Sequence, residues 1–353
     1  MNGNELRIAL ADCIKAFGGG KNNPQFFGVK FGSIESVAHF EHRYNPDVRL
    51  DVTLNSDDGH DGELDGRFIE RDGVFDFVNN VCVDLDARKD ANVHLPEYRR
   101  NDYPLTWKFS KADVNFVKSY ASVVRANSAN RKFVRCATLH NYEGKIYLVV
   151  CEGHFLVARY LCEIDAMPCK LWGLTIPVEF FEFLAKIKAK EYTVEFNFNE
   201  YGKFDSYVSC HSDGYTVTAI LDLTVTMPRF ASDIMSQKKI RYNYMPVQET
   251  IEFLKVVHLT GKQGEKDVIK ITSCEAGVSF VGSLERKDYS TGCDYCDNVI
   301  RGVNRKMLLD GLMTMKNAGI DRFNYSTTVG SNLLRFYDDD EKVVVIIAMT
   351  VLE

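Results

Sequence analysis

The sequence predicts an α+β fold assembled from repeated helix-plus-strands units, and three observations carry that expectation. Four segments share one pattern, in which an extended approach passes through a polar or proline residue into a short amphipathic helix and then into strand-like runs. β-Branched and aromatic residues dominate the runs that follow each helix. The 353 residues are more than one ordinary core accommodates, so two or three domains are expected, and three fit best.

The units start near Phe109, Ile176, Met245 and Val303, roughly 60 to 70 residues apart. In the first, Val114, Val117, Ala121 and Val124 fall at helical spacing; in the second, Phe180, Leu184 and Ile187 do, with Pro177 acceptable in the first turn. Val247, Ile251, Leu254 and Val257 repeat the pattern after Pro246. Leu308, Leu312 and Met315 repeat it before the stop at Asn317 to Gly319. Each helix thus has one apolar stripe to bury. The strand-like runs are 133–141 and 145–158 after the first helix, and 193–199, 206–210 and 215–221 after the second. After the third come 268–273, 278–282 and 286–293, and after the fourth 321–326, 332–337 and 343–351. Two units make one domain, with two helices side by side on sheets whose apolar faces they cover. This gives domains at 106–237 and 238–353. A helix at 5–17 followed by a strand at 25–31 starts like another unit. A second helix at 72–80 then leaves too short a stretch for three strands of typical length, so 1–105 is expected to be a shortened or altered first domain.

Charge and composition narrow the function classes. Lys and Arg number 43 against 49 Asp and Glu, a net charge of −6, which argues against a surface that grips nucleic acid everywhere and leaves room for a locally basic face. No apolar run approaches the roughly 20 residues of a membrane helix. The first 17 residues lack the basic start, apolar stretch and small-residue site of a secretory signal, so a cytoplasmic location is expected. Ten scattered cysteines are expected to be free thiols in a reducing compartment.

Motifs that would carry chemistry are weak. Cys293-Asp294-Tyr295-Cys296 has metal-ligand spacing but no second pair at the usual distance. The acidic stretch 57–66 lacks the spaced ligands of an EF-hand and reads as a solvated hairpin loop. Gly18-Gly19-Gly20-Lys21 lacks the frame of a phosphate-binding loop and reads as a helix stop. No Ser/His/Asp or Cys/His set suggests a nucleophile. The expectation is a protein without cofactor, metal or catalytic residues, and not an enzyme.

Four further segments stand in a telling order. The run 147–158 contains Glu152-Gly153-His154-Phe155-Leu156-Val157-Ala158. Leu174-Thr175-Ile176-Pro177 leads into the second helix. Ala219-Ile220-Leu221-Asp222 is followed by Met227-Pro228-Arg229-Phe230, and the C-terminal run 343–352 is strongly apolar. In this order, from Leu105 onward, the chain resembles the β-type DNA sliding clamps, the bacterial DNA polymerase III beta-subunit family, in a divergent, phage-like form. The family's patterns at these places are A-T-D-G-H-R-L-A, V-P-R-K, K-L-I-D-G-x-F-P-D-Y and V-V-M-P-M-R-L. Here Glu152 stands for Asp and Phe155 for Arg, and the basic pair after the third segment is lost.

The resemblance implies three clamp domains in a ring that encircles duplex DNA without reading sequence and tethers a polymerase and other replication proteins, with a clamp loader as a further partner. Ring closure in that family is head-to-tail association of two chains through edge strands of the first and last domains, so a homodimer is implied. A partner-peptide groove would use Gly153, His154, Leu156, Pro228, Met349, Val351 and Leu352. The helices facing DNA should carry cations opposite their apolar stripes. Candidates are Lys111, Lys118 and Arg125 on the first helix, Lys186, Lys188 and Lys190 on the second, Lys255 and Lys262 at the third, and Arg305, Lys306 and Lys316 on the fourth. Two alternatives stand beside this. One is a clamp-fold protein diverted to a regulatory, protein-binding role in phage transcription or host takeover, without ring closure. The other is an unrelated α+β enzyme with strongly perturbed titratable groups in a pocket.

Overall fold

The computed structural model describes residues 12–13, 15–16, 25–31, 36–42, 44–54, 100–101, 103–127, 135–199, 205–224, 240–258, 267–274, 276–290, 300–327, 332–348 and 350–352. The expected helix at 72–80, the acidic loop at 57–66, the glycine run at 18–21 and the Cys293/Cys296 pair lie outside them; of the expected helix at 5–17, residues 12–13 and 15–16 are described and helical. In chain order the elements are β1 (Gln25–Phe31), β2 (Ser36–His42), β3 (Asn45–Leu54), β4 (Leu105–Ser110), α1 (Lys111–Asn127), β5 (Cys136–Tyr142), β6 (Lys145–Cys151), β7 (Phe155–Glu163), β8 (Thr175–Pro177), α2 (Val178–Leu184), β9 (Glu191–Asn197), β10 (Tyr207–Ser212) and β11 (Tyr215–Ile220). There follow β12 (Ile240–Pro246), α3 (Val247–Val256), β13 (Val268–Cys274), β14 (Gly277–Val281), β15 (Arg286–Tyr289), β16 (Ile300–Asn304), α4 (Arg305–Asn317), β17 (Arg322–Thr327), β18 (Leu333–Tyr337), β19 (Val343–Ala348) and β20 (Thr350–Leu352). Each of these four helices begins two residues after the unit start read from the sequence. Among the described residues no helix is long and apolar enough to cross a membrane.

The chain divides into two compact units. The first, 1–121 with 175–224, is built on an antiparallel sheet in the order β1-β2-β3-β11-β10-β9-β4. Helix α2 lies on β3 and β11, where Leu50 pairs with Val217 and both are fully buried. Val178, Glu179, Phe180, Phe181, Phe183 and Leu184 of α2 are all buried, so nearly the whole circumference is enclosed rather than the single stripe the spacing predicts. Phe181 sits edge-on to Phe109 with ring centres 5.3 Å apart, and His42 Nε2 meets Glu182 at 3.0 Å. The helix ends at Leu184, so Lys186, Lys188 and Lys190, expected on it, instead follow in the turns that lead to β9.

The second unit, 122–174 with 225–353, contains a large antiparallel sheet in which β12, β17, β18, β19, β7, β6 and β5 run side by side, and a smaller one in the order β15-β14-β13-β16-β20. Helices α3 and α4 pack against each other. Val247, Ile251 and Leu254 on α3 and Leu308, Leu312 and Met315 on α4 are buried, the stripes their spacing predicts. Asn304 caps α4 by accepting the Met307 backbone N–H at 3.0 Å.

Two strand runs differ from expectation, each for a backbone reason. The run 145–158 is two strands, because Gly153 takes φ 96° in a tight turn where the Glu152 N–H donates to the Phe155 carbonyl at 2.9 Å. The apolar run 343–351 is also two strands: β19 joins the large sheet and β20 the small one.

Helix α4 reaches the large sheet through Gly311, where a Cβ would come within 2.6 Å of Val345 Cγ1. Alanine at Gly311 gains about 1 kcal/mol of helix propensity, but overpacking against the stiff valine costs about 1–3 kcal/mol. Gly311→Ala is therefore expected to lower stability by about 1 kcal/mol in urea unfolding. One residue earlier, burial raises the Asp310 carboxyl above its usual range, partly offset by Lys306. The ionised carboxylate is thus disfavoured in the folded chain. Asp310→Asn is expected to raise the thermal midpoint at neutral pH, the gain disappearing as pH falls to about 3, where aspartate is protonated folded and unfolded alike.

Candidate functional site

Residues on the face of the large sheet away from α4 come together row by row. Strand residues alternate between faces, so Val345 points to Gly311 and its neighbours Val344 and Ile346 point to the far face. There Ile346 stands between Leu156 on β7 and Arg335 on β18, and Leu156 stands opposite Cys151 on β6. The next row runs Tyr337, Val344, Ala158 and Val149. With Tyr142 and Tyr147 these make a continuous apolar cluster, with Tyr160 and Leu333 packed against it. At its end the Gly153 turn leaves His154 exposed, 3.9 Å from Glu152, while the His154 carbonyl accepts the Ala348 N–H at 2.8 Å.

Of the groove residues read from the sequence, the structure places Gly153, His154 and Leu156 on this turn and strand. Val351 and Leu352 lie on β20 in the other sheet, opposite Arg301 and Ile300. Pro228 and Met349 lie outside the described residues. The residues beside Leu156 that sequence reasoning missed are Ile346, Val344, Cys151 and Arg335. Only the pairings of β6, β7, β18 and β19 reveal them, and an unbroken apolar run contains no alternation from which to read a register. Burial pushes the Cys151 thiol up to about 11, which keeps it an unreactive apolar contact at neutral pH.

The cations fall into two groups. In the first unit the Lys111 N–H donates to the Lys190 carbonyl at 3.1 Å, and Lys111, Lys118, Lys188 and Lys190 are exposed. Partial burial holds the Lys186 amine below its usual value; Glu182 opposes that shift and nearby Lys118 adds to it. Lys118 and Lys186 are thus close enough to repel. In the second unit Lys255, Lys306 and Lys316 are exposed on α3 and α4. Arg305 is committed elsewhere: its guanidinium donates to the Leu254 carbonyl at 3.2 Å and to Asp267 at 3.3 Å, tying the end of α3 to the approach of β13. Lys262 and the Arg125 side chain lie outside the described residues.

Among the described residues β15 is an edge strand of the smaller sheet. Beside it the turn after β14 clasps the end of α3: the Ser283 N–H donates to the His258 carbonyl at 2.8 Å, and Glu285 accepts from the His258 backbone N–H and its ring. Those bonds hold the Glu285 carboxyl below its usual range. The clasp displays two apolar side chains to solvent, Val256 at 68% and Leu284 at 87% exposure. Among the described residues no group of His, Cys, Asp and Glu could hold a metal ion.

No family model matches the sequence, and no curated protein is detectably similar to it. Solved structures are similar over nearly the whole chain. The DNA polymerase sliding clamp from Bacillus subtilis matches with a TM-score of 0.68 at 11% identity, covering 99% of this chain and 98% of that one. The DNA polymerase III subunit beta from Pseudomonas aeruginosa matches at 0.66 and 12% identity, covering 98% of each. The Helicobacter pylori beta clamp bound to a DNA ligase peptide matches at 0.65 and 14% identity, covering 99% and 98%. The α+β architecture of this chain is therefore the DNA sliding-clamp fold of the DNA polymerase III beta subunits.

Proposed function

We propose that the chain is a DNA sliding clamp, a replicase processivity factor that encircles duplex DNA and does no chemistry of its own. The observation that carries this reading is the match to solved clamps across nearly all of both chains, with no large part of either left over. In this reading residues 1–105, 106–237 and 238–353 are three clamp domains, the first altered. Lys111, Lys118, Lys186, Lys188 and Lys190, with Lys255, Lys306 and Lys316, meet phosphates. Contacts of this kind hold a duplex without selecting its sequence, and too many would slow sliding. That suits an acidic protein with a locally basic face.

The far face of the large sheet is the docking site for short peptides of a polymerase, a clamp loader and other partners. Gly153 and His154 form its exposed rim, and Leu156, Ile346 and Cys151, each only 2–3% exposed, are packed behind them. An apolar pocket with a few polar groups is what such recognition requires. Two copies close the ring head to tail, with β15, Val256 and Leu284 of one meeting an edge of the first domain of the other.

Light scattering is expected to give an oligomer that is retained on nicked circular DNA and lost once the circle is linearised. A monomer, or equal retention on both forms, overturns ring closure and favours the diverted, regulatory clamp fold. Val256→Glu with Leu284→Asp changes two exposed positions, so the thermal midpoint should hold within about 0.5 kcal/mol of stability. The solution mass is expected to fall to that of one chain and retention on circles to be lost.

A further inference from the structure

Between β14 and β15 the chain turns in four residues, Gly282 to Glu285, and the turn closes on itself with one bond, from the Gly282 N–H to the Glu285 carbonyl at 2.8 Å. Three further bonds dock it on His258. The His258 backbone carbonyl accepts the Ser283 N–H at 2.8 Å, and the His258 backbone N–H and ring donate to the two oxygens of the Glu285 carboxylate. The turn lies close against the helix end: a Cβ on Gly282 would stand 2.1 Å from Val257 Cγ2 and 2.9 Å from the His258 carbonyl oxygen.

These bonds sit where they add little to folding. The His258 side chain is 72% exposed and that of Glu285 30%, and pairs so open to water contribute little to stability. Attachment of β15 to α3 is secured elsewhere. The hydroxyls of Thr250 and Tyr289, both buried, meet at 2.7 Å, and Lys287 donates to Glu249 at 2.9 Å. What the clasp fixes is the placement of two apolar side chains. Leu284 lies between Ser283 and Glu285, whose bonds hold it from both sides, and Val256 is the last residue of α3, two before His258. Among the described residues these are the most exposed of the large aliphatic side chains. Apolar side chains held out in this way are unfavourable in water and favourable once covered. A free turn would have to be ordered on docking, at the expense of affinity, whereas a turn already fixed loses nothing further.

We propose that Glu285 and His258 are positioning residues for ring closure, which hold Leu284 and Val256, through bonds made within one chain, in the arrangement that docks on the second copy. The inference rests on the ring-closure reading and adds to it two residues that act through others and not by touching the partner.

The dissociation constant of the full-length protein, measured by sedimentation across a dilution series, tests this. Glu285→Ala removes both acceptor oxygens and is expected to raise the constant about tenfold. The thermal midpoint of the dissociated chain is expected to move by less than about 2 °C. Glu285→Gln loses the charge but keeps an oxygen for the His258 backbone N–H and an amide to donate to the ring nitrogen, so it is expected to restore the constant to within about twofold of wild type. His258→Ala combined with Glu285→Ala is expected to weaken association no more than Glu285→Ala does, because both remove the same clasp. A Gln variant as weak as the Ala variant shows that the Glu285 charge meets the partner directly and overturns the clasp, and so does a double variant whose loss is the sum of the single ones. If Val256→Glu with Leu284→Asp abolishes association while Glu285→Ala leaves the constant unchanged, the clasp falls and ring closure stands. A wild type that sediments as one chain at every concentration overturns ring closure and the clasp with it.

Discussion

Five residue pairs, from Arg159 with Val343 to Phe155 with Ile347, zip β7 to β19, and both faces of the large sheet depend on that ladder. It brings Leu156 beside Ile346 and thereby creates the apolar cluster of the far face. The same pairing turns Val345 the other way, where α4 approaches so closely that a Cβ at 311 would crowd it. Since side chains alternate, a slip of one residue would send Ile346 toward α4 and Val345 away from it, losing both surfaces at once. Packing of α4 and formation of the far face are thus one event, and Gly311 enforces the register from a distance.

Electrostatics in the first unit shows a different constraint. Lys118 lies close enough to Lys186 to disfavour its charge, and Lys186 is partly desolvated as well. Glu182, which opposes the shift of Lys186, offsets that repulsion in part. The neighbouring short helix explains how the lysines come together. Because α2 is enclosed almost completely, it has no free stripe for them, and they sit in the turns beyond its end.

Most of the repeating architecture could be read from residue patterns, and the exceptions have physical causes. Serine, proline or asparagine before each apolar stripe marks the helix start within two residues, because capping and proline geometry act locally. Phe181 and Phe183 in α2 gave no warning that both sides of the helix are covered; burial on a second side is decided by neighbours distant in sequence. The run 343–352 is uniform in composition yet supplies strands to two sheets, and which sheet each half joins depends on partners elsewhere. Val351 and Leu352 looked equivalent to Ile346 for that reason. Gly153 and His154 were singled out through the family resemblance alone; the turn that splits 145–158 was not read, although the positive φ at Gly153 favours glycine there.

The long reach of the β7–β19 ladder also has a consequence for how the protein is made. About 180 residues separate the two strands, and at synthesis rates of about 5–20 residues per second the earlier strand waits on the order of 10–35 s for its partner. During that interval β7 offers an unpaired, apolar edge, the kind of surface that invites pairing with a neighbouring nascent chain. The large sheet therefore cannot close until β19 has been made. Growth temperature and translation speed, through the length of that exposure, should govern how much of the chain reaches its native state.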